Sequence, residues 1–307
     1  MASSNRRTSA PDVVALFGPT ASGKTAVAAC LAPLLDARVI SADSAALYEG
    51  LPVLTAAPRY PTELVGVVPL SESVSVGSYQ RLAHRAVDDA LAAGRRALVV
   101  GGTGLYLRAA LSELRLAPPP LPGERERWEQ TYAELGPERA HLLLEERDPA
   151  AAARVHANDR KRVVRALELS ANEGSLAPAR DDLWSREFRR ETLLVALDVP
   201  LDELDRRIEA RTAQLAAHGV GEEARRAWKG PLSATAAKVL GLEAFATLPE
   251  AEAVEATVRA TKRLARYQRK WLRRLPAAVT LDGARPPEEI ADEISALARS
   301  GERLPGH

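Results

Sequence analysis

The chain has 307 residues, a length that suits one core domain with a smaller inserted or appended unit. Hydrophobic residues make up 46% of it and charged residues 27%, which excludes a chain that is disordered over most of its length. The net charge of +1 does not exclude nucleic acid as a partner, because binding depends on where charges lie rather than on their sum.

The chain begins with a short polar segment, which an alternation of strands and helices follows. Residues 1–11 lack the apolar run of a signal peptide and are predicted to form a disordered leader. Helical patterns such as 24–35 and 78–93 lie between most of the predicted strands, which indicates an α/β fold with a parallel sheet. The strands are predicted from short apolar runs bounded by turn residues, at 13–17, 37–40, 97–100, 192–197 and 278–281.

The spacing of the strands breaks once, between residues 118 and 190. This segment opens with three consecutive prolines, is charged and helical in pattern, and contains no convincing strand. We expect a helical insertion domain at 118–190 and a core formed by 12–117 and 191–307. No stretch is apolar enough to span a bilayer, and a single cysteine cannot form an internal disulfide. A cytoplasmic protein without a membrane partner is therefore expected.

A phosphate-binding loop follows the first predicted strand. Residues 18–25 read GPTASGKT, a Gly-x-x-x-x-Gly-Lys-Thr motif between a strand and a helix. Its glycines allow backbone N–H groups to point at a phosphate, Lys24 adds a mobile cation, and Thr25 offers a hydroxyl ligand for Mg²⁺. A chance glycine turn is the alternative, and the agreement of the motif with its flanks disfavours it. The loop residues predicted to hold a diphosphate are Gly18, Thr20, Ala21, Ser22, Gly23, Lys24 and Thr25.

Two more loops are predicted at the same edge of the sheet. Asp43 comes directly after the second predicted strand, at the carboxyl edge where open α/β sheets bind ligands. The run GGTG at 101–104 follows the third strand, and its glycines allow a ligand to approach while Thr103 supplies a hydroxyl. Asp43 is a candidate base or metal ligand, although an aspartate here can also cap a turn. Glycines in such a turn can also be purely steric.

Two predicted helices carry basic faces. In the helix at 159–168, Lys161, Arg162 and Arg165 lie opposite an apolar face, and either RNA binding or a solvated surface accounts for them. The stretch 259–275 contains eight Lys or Arg residues within one arc and no acid. We favour polyanion binding by this second helix, because a basic face without acidic partners exceeds what solubility needs.

The chain resembles the tRNA dimethylallyltransferases over about residues 13–275. The resemblance is carried by GPTASGKT at 18–25, ISADS at 40–44, GGTGLY at 101–106, DPAAAARVHANDRKRVVRALE at 148–168 and KRLARYQRKWLRR at 262–274. It implies a P-loop NTPase-like core and a monomer that uses Mg²⁺. It also implies transfer of a dimethylallyl group from dimethylallyl diphosphate to N6 of the tRNA adenosine at position 37, adjacent to the anticodon.

The resemblance further implies roles for single residues. Asp43 is similar to a catalytic carboxylate, Thr103 to an active-site threonine, and Arg211 to an arginine at the diphosphate. The helical insertion is then a tRNA-binding domain. Residues implied to contact tRNA are Asp43, Ser44, Ala45, Ala46, Arg125, Lys161, Arg162, Val163, Val164 and Arg165, to which the second basic face adds Arg266 and Arg273.

The chain departs from the family pattern after Asp43, where residues 43–58 read DSAALYEGLPVLTAAP and the family tends to have DSxQxYxGxDIGTAKP. Three rival activities stay open. An isopentenyltransferase acting on free adenine nucleotides shares the core, and the basic helices argue against it. A small-molecule kinase shares the P-loop but leaves GGTGLY unexplained. A weakly active paralogue would only bind RNA.

Overall fold

Six parallel strands form one sheet in the protein, whose computed structural model describes residues 10–300 except 119, 122, 173, 177–184, 186 and 276–277. The order across the sheet is β3-β2-β4-β1-β5-β6. Residues 1–9 of the predicted leader lie outside the described residues. The strands are β1 (Val13–Phe17), β2 (Ala37–Ser41), β3 (Thr62–Glu63), β4 (Arg96–Gly101), β5 (Thr192–Asp198) and β6 (Val279–Asp282).

The predicted parallel α/β fold is confirmed, and each predicted strand is found within one residue of its expected ends. β1, β2, β4 and β5 were predictable because they are short, apolar and largely buried, as parallel strands usually are. The strand β3 was not predicted, since two half-buried residues at the edge of a sheet carry no hydrophobic pattern.

Helices cover both faces of the sheet. Along β1, Val14 and Leu16 belong to a hydrophobic cluster with the first and last described helices, while Ala15 and Phe17 belong to a second cluster on the other face. The helices are α1 (Lys24–Leu35), α2 (Val76–Ala92), α3 (Gly104–Leu111), α4 (Glu124–Arg147), α5 (Pro149–Ala152), α6 (Arg160–Ser170), α7 (Leu201–Ala217), α8 (Val220–Trp228), α9 (Leu242–Thr247), α10 (Glu250–Leu272) and α11 (Pro287–Ser300).

The chain divides into two compact units. The larger comprises Met1–Leu114 and Leu183–His307 and contains the sheet, and the smaller comprises Arg115–Asp182. The sequence places the corresponding boundaries at 118 and 190, a few residues further along the chain. The described part of the smaller unit contains α4, α5 and α6 around a hydrophobic core of its own.

None of the helices in the described part of the chain has both the length and the apolar composition that crossing a bilayer requires.

Candidate active site

A cavity of about 510 Å³ lies in the larger unit, at the edge of the sheet where β1, β2 and β4 end. The P-loop borders it through Thr20, Lys24 and Thr25. Helices α7 and α10 form another part of its wall. This is the edge at which open parallel sheets bind their ligands, because the loops that follow several strands meet there.

The P-loop at residues 18–25 has the backbone form of a phosphate cradle. Ala21 has a φ of 64° and Gly23 a φ of 88°, and left-handed residues of this kind turn neighbouring N–H groups into an anion-binding concavity. A side chain at Gly18 would overlap the hydroxyl of Ser22, which favours glycine at this position. Helix α1 begins at Lys24 and adds the partial positive charge of its N-terminus. The loop residues predicted to hold a diphosphate therefore lie together in one turn.

Lys24 and Arg211 bring two cations to this cavity. The pKa of Lys24 is lowered to about 8, chiefly by burial, with Asp43 opposing the shift and Arg211 adding to it. Burial also lowers the pKa of Arg211, whose guanidinium lies 3.5 Å from Thr20 Oγ1 and donates to the Thr55 carbonyl at 3.3 Å. Two cations in a partly dry cavity repel each other until an anion joins them. The arrangement suits a diphosphate.

Asp43 and Thr103 lie on neighbouring loops that line the same cavity. Asp43 follows β2, and its Oδ1 accepts a hydrogen bond from the backbone N–H of Ala45 at 2.9 Å. Thr103 lies between β4 and α3. The two loops are in close contact, since a Cβ added to Gly101 would overlap the backbone of Ala42. A carboxylate and a hydroxyl thus share the cavity with the two cations.

The segment after Asp43 contributes small side chains to the cavity wall. Ser44, Ala45 and Ala46 all line the cavity, and Ala46 is buried. Small side chains leave space beside the carboxylate, which a ligand can occupy. The departure from the family pattern at Ala46 therefore lies on the wall of the site itself.

An aromatic surface next to Asp43 was not predicted from the sequence. Tyr106 lines the cavity, and its ring packs against Tyr79 with 4.5 Å between the ring centroids. Burial raises the pKa of Tyr106 to about 12, with smaller contributions from Tyr48 and Asp43. The only sequence signal was the position of Tyr106 at the end of GGTGLY. An aromatic ring beside a carboxylate is suited to stacking a planar base.

Helix α10 makes two contacts with the glycine loops that the sequence analysis also missed. Gln268 is buried, and its Oε1 accepts a hydrogen bond from the backbone N–H of Thr20 at 2.8 Å. Trp271 packs against Gly104 so closely that an added Cβ would overlap its indole ring. Gln268 and Thr20 are 248 residues apart, so no local pattern links them. The only signal in the sequence was that Gln268 stands three positions before Trp271, which puts the two residues on the same side of a helix.

The basic face of α10 has acidic partners, which corrects the expectation that it has none. Arg266 donates to Asp205 of α7 at 2.9 Å, and Lys262 lies 3.8 Å from the same carboxylate. Arg269 donates to Asp198 at 2.9 Å. The stretch itself contains no acid, and the partners come from elements that lie about 50 to 70 residues away in the sequence. Much of the predicted positive face is therefore neutralised within the larger unit.

Two cations of α10 and the residue at its C-terminal cap are exposed and have no ionic or hydrogen-bonding partner among the described residues. They are Arg263, Lys270 and Arg273. Of the two residues of the second basic face predicted to bind tRNA, Arg273 is therefore available to a phosphate, while Arg266 is already paired.

In the smaller unit, Arg125 and Arg165 hold a buried carboxylate. Arg125 donates two hydrogen bonds to Glu168, at 2.7 and 3.0 Å, and Arg165 donates a third at 2.8 Å. Burial by itself raises the pKa of Glu168, but the hydrogen bonds from the two guanidinium groups leave that pKa below its ordinary value. Arg125 and Arg165 were both predicted to contact tRNA, and in the structure both bind Glu168 within the smaller unit.

Of the other four α6 residues predicted to contact tRNA, two are buried and two are exposed. Val163 and Val164 are 0% and 3% exposed in the core of the smaller unit. Their side chains therefore do not contact tRNA, which corrects the expectation from the sequence. Lys161 and Arg162 are exposed. Arg162 lies 3.5 Å from Asp159, the residue that caps the helix. The two exposed cations remain candidates for RNA phosphates.

The chain is similar to known proteins over most of its length. A family model described as IPP transferase matches residues 46–275. A tRNA dimethylallyltransferase from Kineococcus radiotolerans is 40% identical over 312 residues, which span 95% of this chain and 96% of that protein. One from Salinispora tropica is 40% identical over 285 residues, which span 89% and 88% of the two chains. The crystal structure of a full-length tRNA isopentenylpyrophosphate transferase from Bacillus halodurans has a TM-score of 0.67 at 28% identity, covering 94% of this chain and 96% of that one.

Proposed function

Because this chain belongs to the IPP transferase family, we propose that it transfers a dimethylallyl group from dimethylallyl diphosphate to N6 of the adenosine adjacent to the anticodon of tRNA. The observation that carries the proposal is a single cavity lined by the carboxylate of Asp43 and by the cations of Lys24 and Arg211. Relatives that are 40% identical and named tRNA dimethylallyltransferase support the same activity.

The diphosphate is assigned to the P-loop end of the cavity. Backbone N–H groups of the loop, the ammonium of Lys24 and the guanidinium of Arg211 surround the place where its oxygens would lie. Negative charge grows on the departing diphosphate as its bond to carbon breaks. Donors that are already fixed in a partly dry site stabilise this charge more in the transition state than in the ground state.

Asp43 acts on the adenine. Its carboxylate accepts a proton from N6 as that nitrogen attacks C1 of the dimethylallyl group. The N6–C1 bond forms, the C1–O bond breaks, and diphosphate leaves with the electron pair of that bond. Thr103 supplies a hydroxyl on the adjoining loop, and the ring of Tyr106 offers a surface on which the adenine can stack.

Magnesium fits the residues that are present. Thr25 is exposed at the start of α1, and its side chain lines the cavity together with the carboxylate of Asp43. Mg²⁺ prefers oxygen ligands and is commonly held by one or two protein oxygens together with substrate phosphates. The described residues contain no cluster of three or more His, Cys, Asp and Glu side chains that would hold a metal without substrate. We assign Thr25 as the protein ligand, and the ion would neutralise charge on the diphosphate.

The tRNA is assigned to exposed cations of both units. These are Arg263 and Lys270 on α10, Arg273 at its C-terminal cap, and Lys161 and Arg162 on α6. The target adenosine has to leave its stack to reach the cavity, which costs little for a base in a loop. We place the protein in the cytoplasm, acting as a monomer on tRNA.

The test is incubation of pure protein with unmodified tRNA, Mg²⁺ and labelled dimethylallyl diphosphate. We expect label on the adenosine next to the anticodon and none on free AMP. Preferential labelling of AMP would identify an enzyme acting on free nucleotides. Phosphoryl transfer from ATP would identify a kinase. Tight tRNA binding without any labelling would identify an RNA-binding paralogue.

A further inference from the structure

Helix α10 faces both glycine loops of the candidate active site with one side. Gln268 accepts a hydrogen bond from the backbone N–H of Thr20 in the P-loop, at 2.8 Å. Trp271, almost one turn later on the same side, packs against Gly104 of the loop that carries Thr103. One helix therefore contacts the loop assigned to the diphosphate and the loop assigned to the reacting groups.

The amide of Gln268 has little room to move between these loops. A Cβ added to Gly102 would lie 2.8 Å from Gln268 Nε2 and 2.8 Å from the carbonyl oxygen of Gly18, so three segments meet at van der Waals distance. Gln268 is 6% exposed. The amide of Gln268 therefore lies against the P-loop and the loop at 101–104 at the same point.

Thr20 also contacts Arg211, the second cation of the site. Thr20 Oγ1 lies 3.5 Å from Arg211 Nη1, so the residue that Gln268 holds through its N–H contacts Arg211 through its hydroxyl. Arg211 is on α7, and α10 pairs with α7 through Arg266 and Asp205. Both cation-bearing elements are thus supported by α10.

We propose that Gln268 is a positioning residue, which holds the P-loop in the form that binds a diphosphate before the ligand arrives. The inference rests on the assignment of the P-loop as a diphosphate site under the proposed function. A loop that is already ordered loses less conformational freedom on binding, so the ligand binds more tightly.

The experiment compares Gln268→Met with Gln80→Met. Methionine keeps the length of glutamine and removes the acceptor for Thr20. Gln80, on α2, is a matched control because its Nε2 also makes one hydrogen bond to a backbone atom, the Leu114 carbonyl at 3.3 Å. We expect Kd for inorganic pyrophosphate to rise about tenfold in Gln268→Met and to stay unchanged in Gln80→Met, as the loss of one well-placed hydrogen bond allows.

The kinetic constants separate positioning from a merely structural role. We expect KM for the prenyl diphosphate to rise, while KM for tRNA and the midpoint of thermal unfolding stay within the range of the control variant. If Gln268 were purely structural, its replacement would lower the unfolding midpoint and the active fraction and leave the pyrophosphate affinity of the folded protein unchanged. That result would overturn the proposal. If Gln268→Met does not fold, Gln268→Asn replaces it, because it keeps an amide that is one methylene too short to reach Thr20.

Pyrophosphate binding does not depend on prenyl transfer, so the two proposals can fail separately. A wild-type protein that binds pyrophosphate, loses affinity in Gln268→Met and transfers no prenyl group supports the role of Gln268 and contradicts the proposed function. Equal pyrophosphate affinity of wild type and Gln268→Met, or no binding by wild type, overturns the role of Gln268.

Discussion

Arg266 of α10 donates a hydrogen bond to Asp205 of α7, with 2.9 Å between Nη2 and Oδ2. A cation that is matched by a carboxylate at this distance adds little net positive potential to the surface. Within the part of the chain that the structure describes, the cations of α10 and its C-terminal cap that lack an ionic partner are Arg263, Lys270 and Arg273. The paired and the unpaired cations of one helix can be compared directly.

Replacing Arg263 and Arg273 together with Gln should lower tRNA affinity and flatten the plot of log K against log salt. Each phosphate contact that is lost removes roughly one unit of slope, so the double variant should lose about two. Arg266→Gln is the matched control, and we expect its slope to stay close to wild type because its charge is already paired. Filter binding over a range of salt concentrations measures this. Equal slopes for wild type and the double variant would show that neither Arg263 nor Arg273 contacts an RNA phosphate.

Asp43→Asn should abolish most prenyl transfer while tRNA affinity changes by no more than a few fold. Asparagine keeps the side-chain oxygen that accepts the Ala45 N–H at 2.9 Å and removes the negative charge and the base. Loss of a general base typically slows a reaction about a hundredfold or more, since the base acts mainly in the transition state. Single-turnover rates at saturating tRNA test this. An Asn variant that keeps most of the wild-type rate would remove Asp43 from the mechanism.

Affinity for a non-reactive prenyl diphosphate analogue should fall as pH rises through about 8. The pKa of Lys24 is lowered to about 8 by burial, so its ammonium is charged below that pH and loses its proton above it. If the charged form binds, affinity should drop about tenfold between pH 7 and pH 9. Isothermal titration measures the profile. Lys24→Arg provides the control, because a guanidinium stays protonated and its profile should be flat over this range.

Arg125→Met should destabilise the smaller unit by about 1–3 kcal/mol, because the buried carboxylate of Glu168 loses one of its two guanidinium partners. The double variant Arg125→Met with Glu168→Gln should recover part of this loss, since no unpaired charge stays buried. The pKa of Glu168 lies below its ordinary value, so the stabilisation is present at neutral pH and is lost as pH falls through that lowered pKa.

Chemical denaturation measures the stability of these variants, and tRNA binding is measured where each is fully folded. Unchanged stability together with weaker tRNA binding by Arg125→Met would contradict the structural role and identify Arg125 as a tRNA contact.

The features that the sequence predicted correctly all have a local cause. The strands were recognisable because apolar runs such as residues 13–17 are bounded by turn residues, and the P-loop because its glycines and Lys24 stand at a fixed spacing. The amphipathic pattern of α6 already placed Val163 and Val164 on its apolar face. Their assignment as tRNA contacts came from family resemblance, and burial shows that their side chains pack inside the unit.

The sequence by itself determined the parallel sheet, the P-loop and the edge at which Asp43 and Thr103 meet, because hydrophobic period and motif spacing are properties of short segments. Only the tertiary structure decided that Gln268 holds Thr20 and that Asp205 neutralises Arg266. These pairs join residues far apart in the chain, and nothing in either segment specifies its partner. Their formation depends on how α10 packs against α7 and the P-loop, and this packing decides which cations stay free for a ligand.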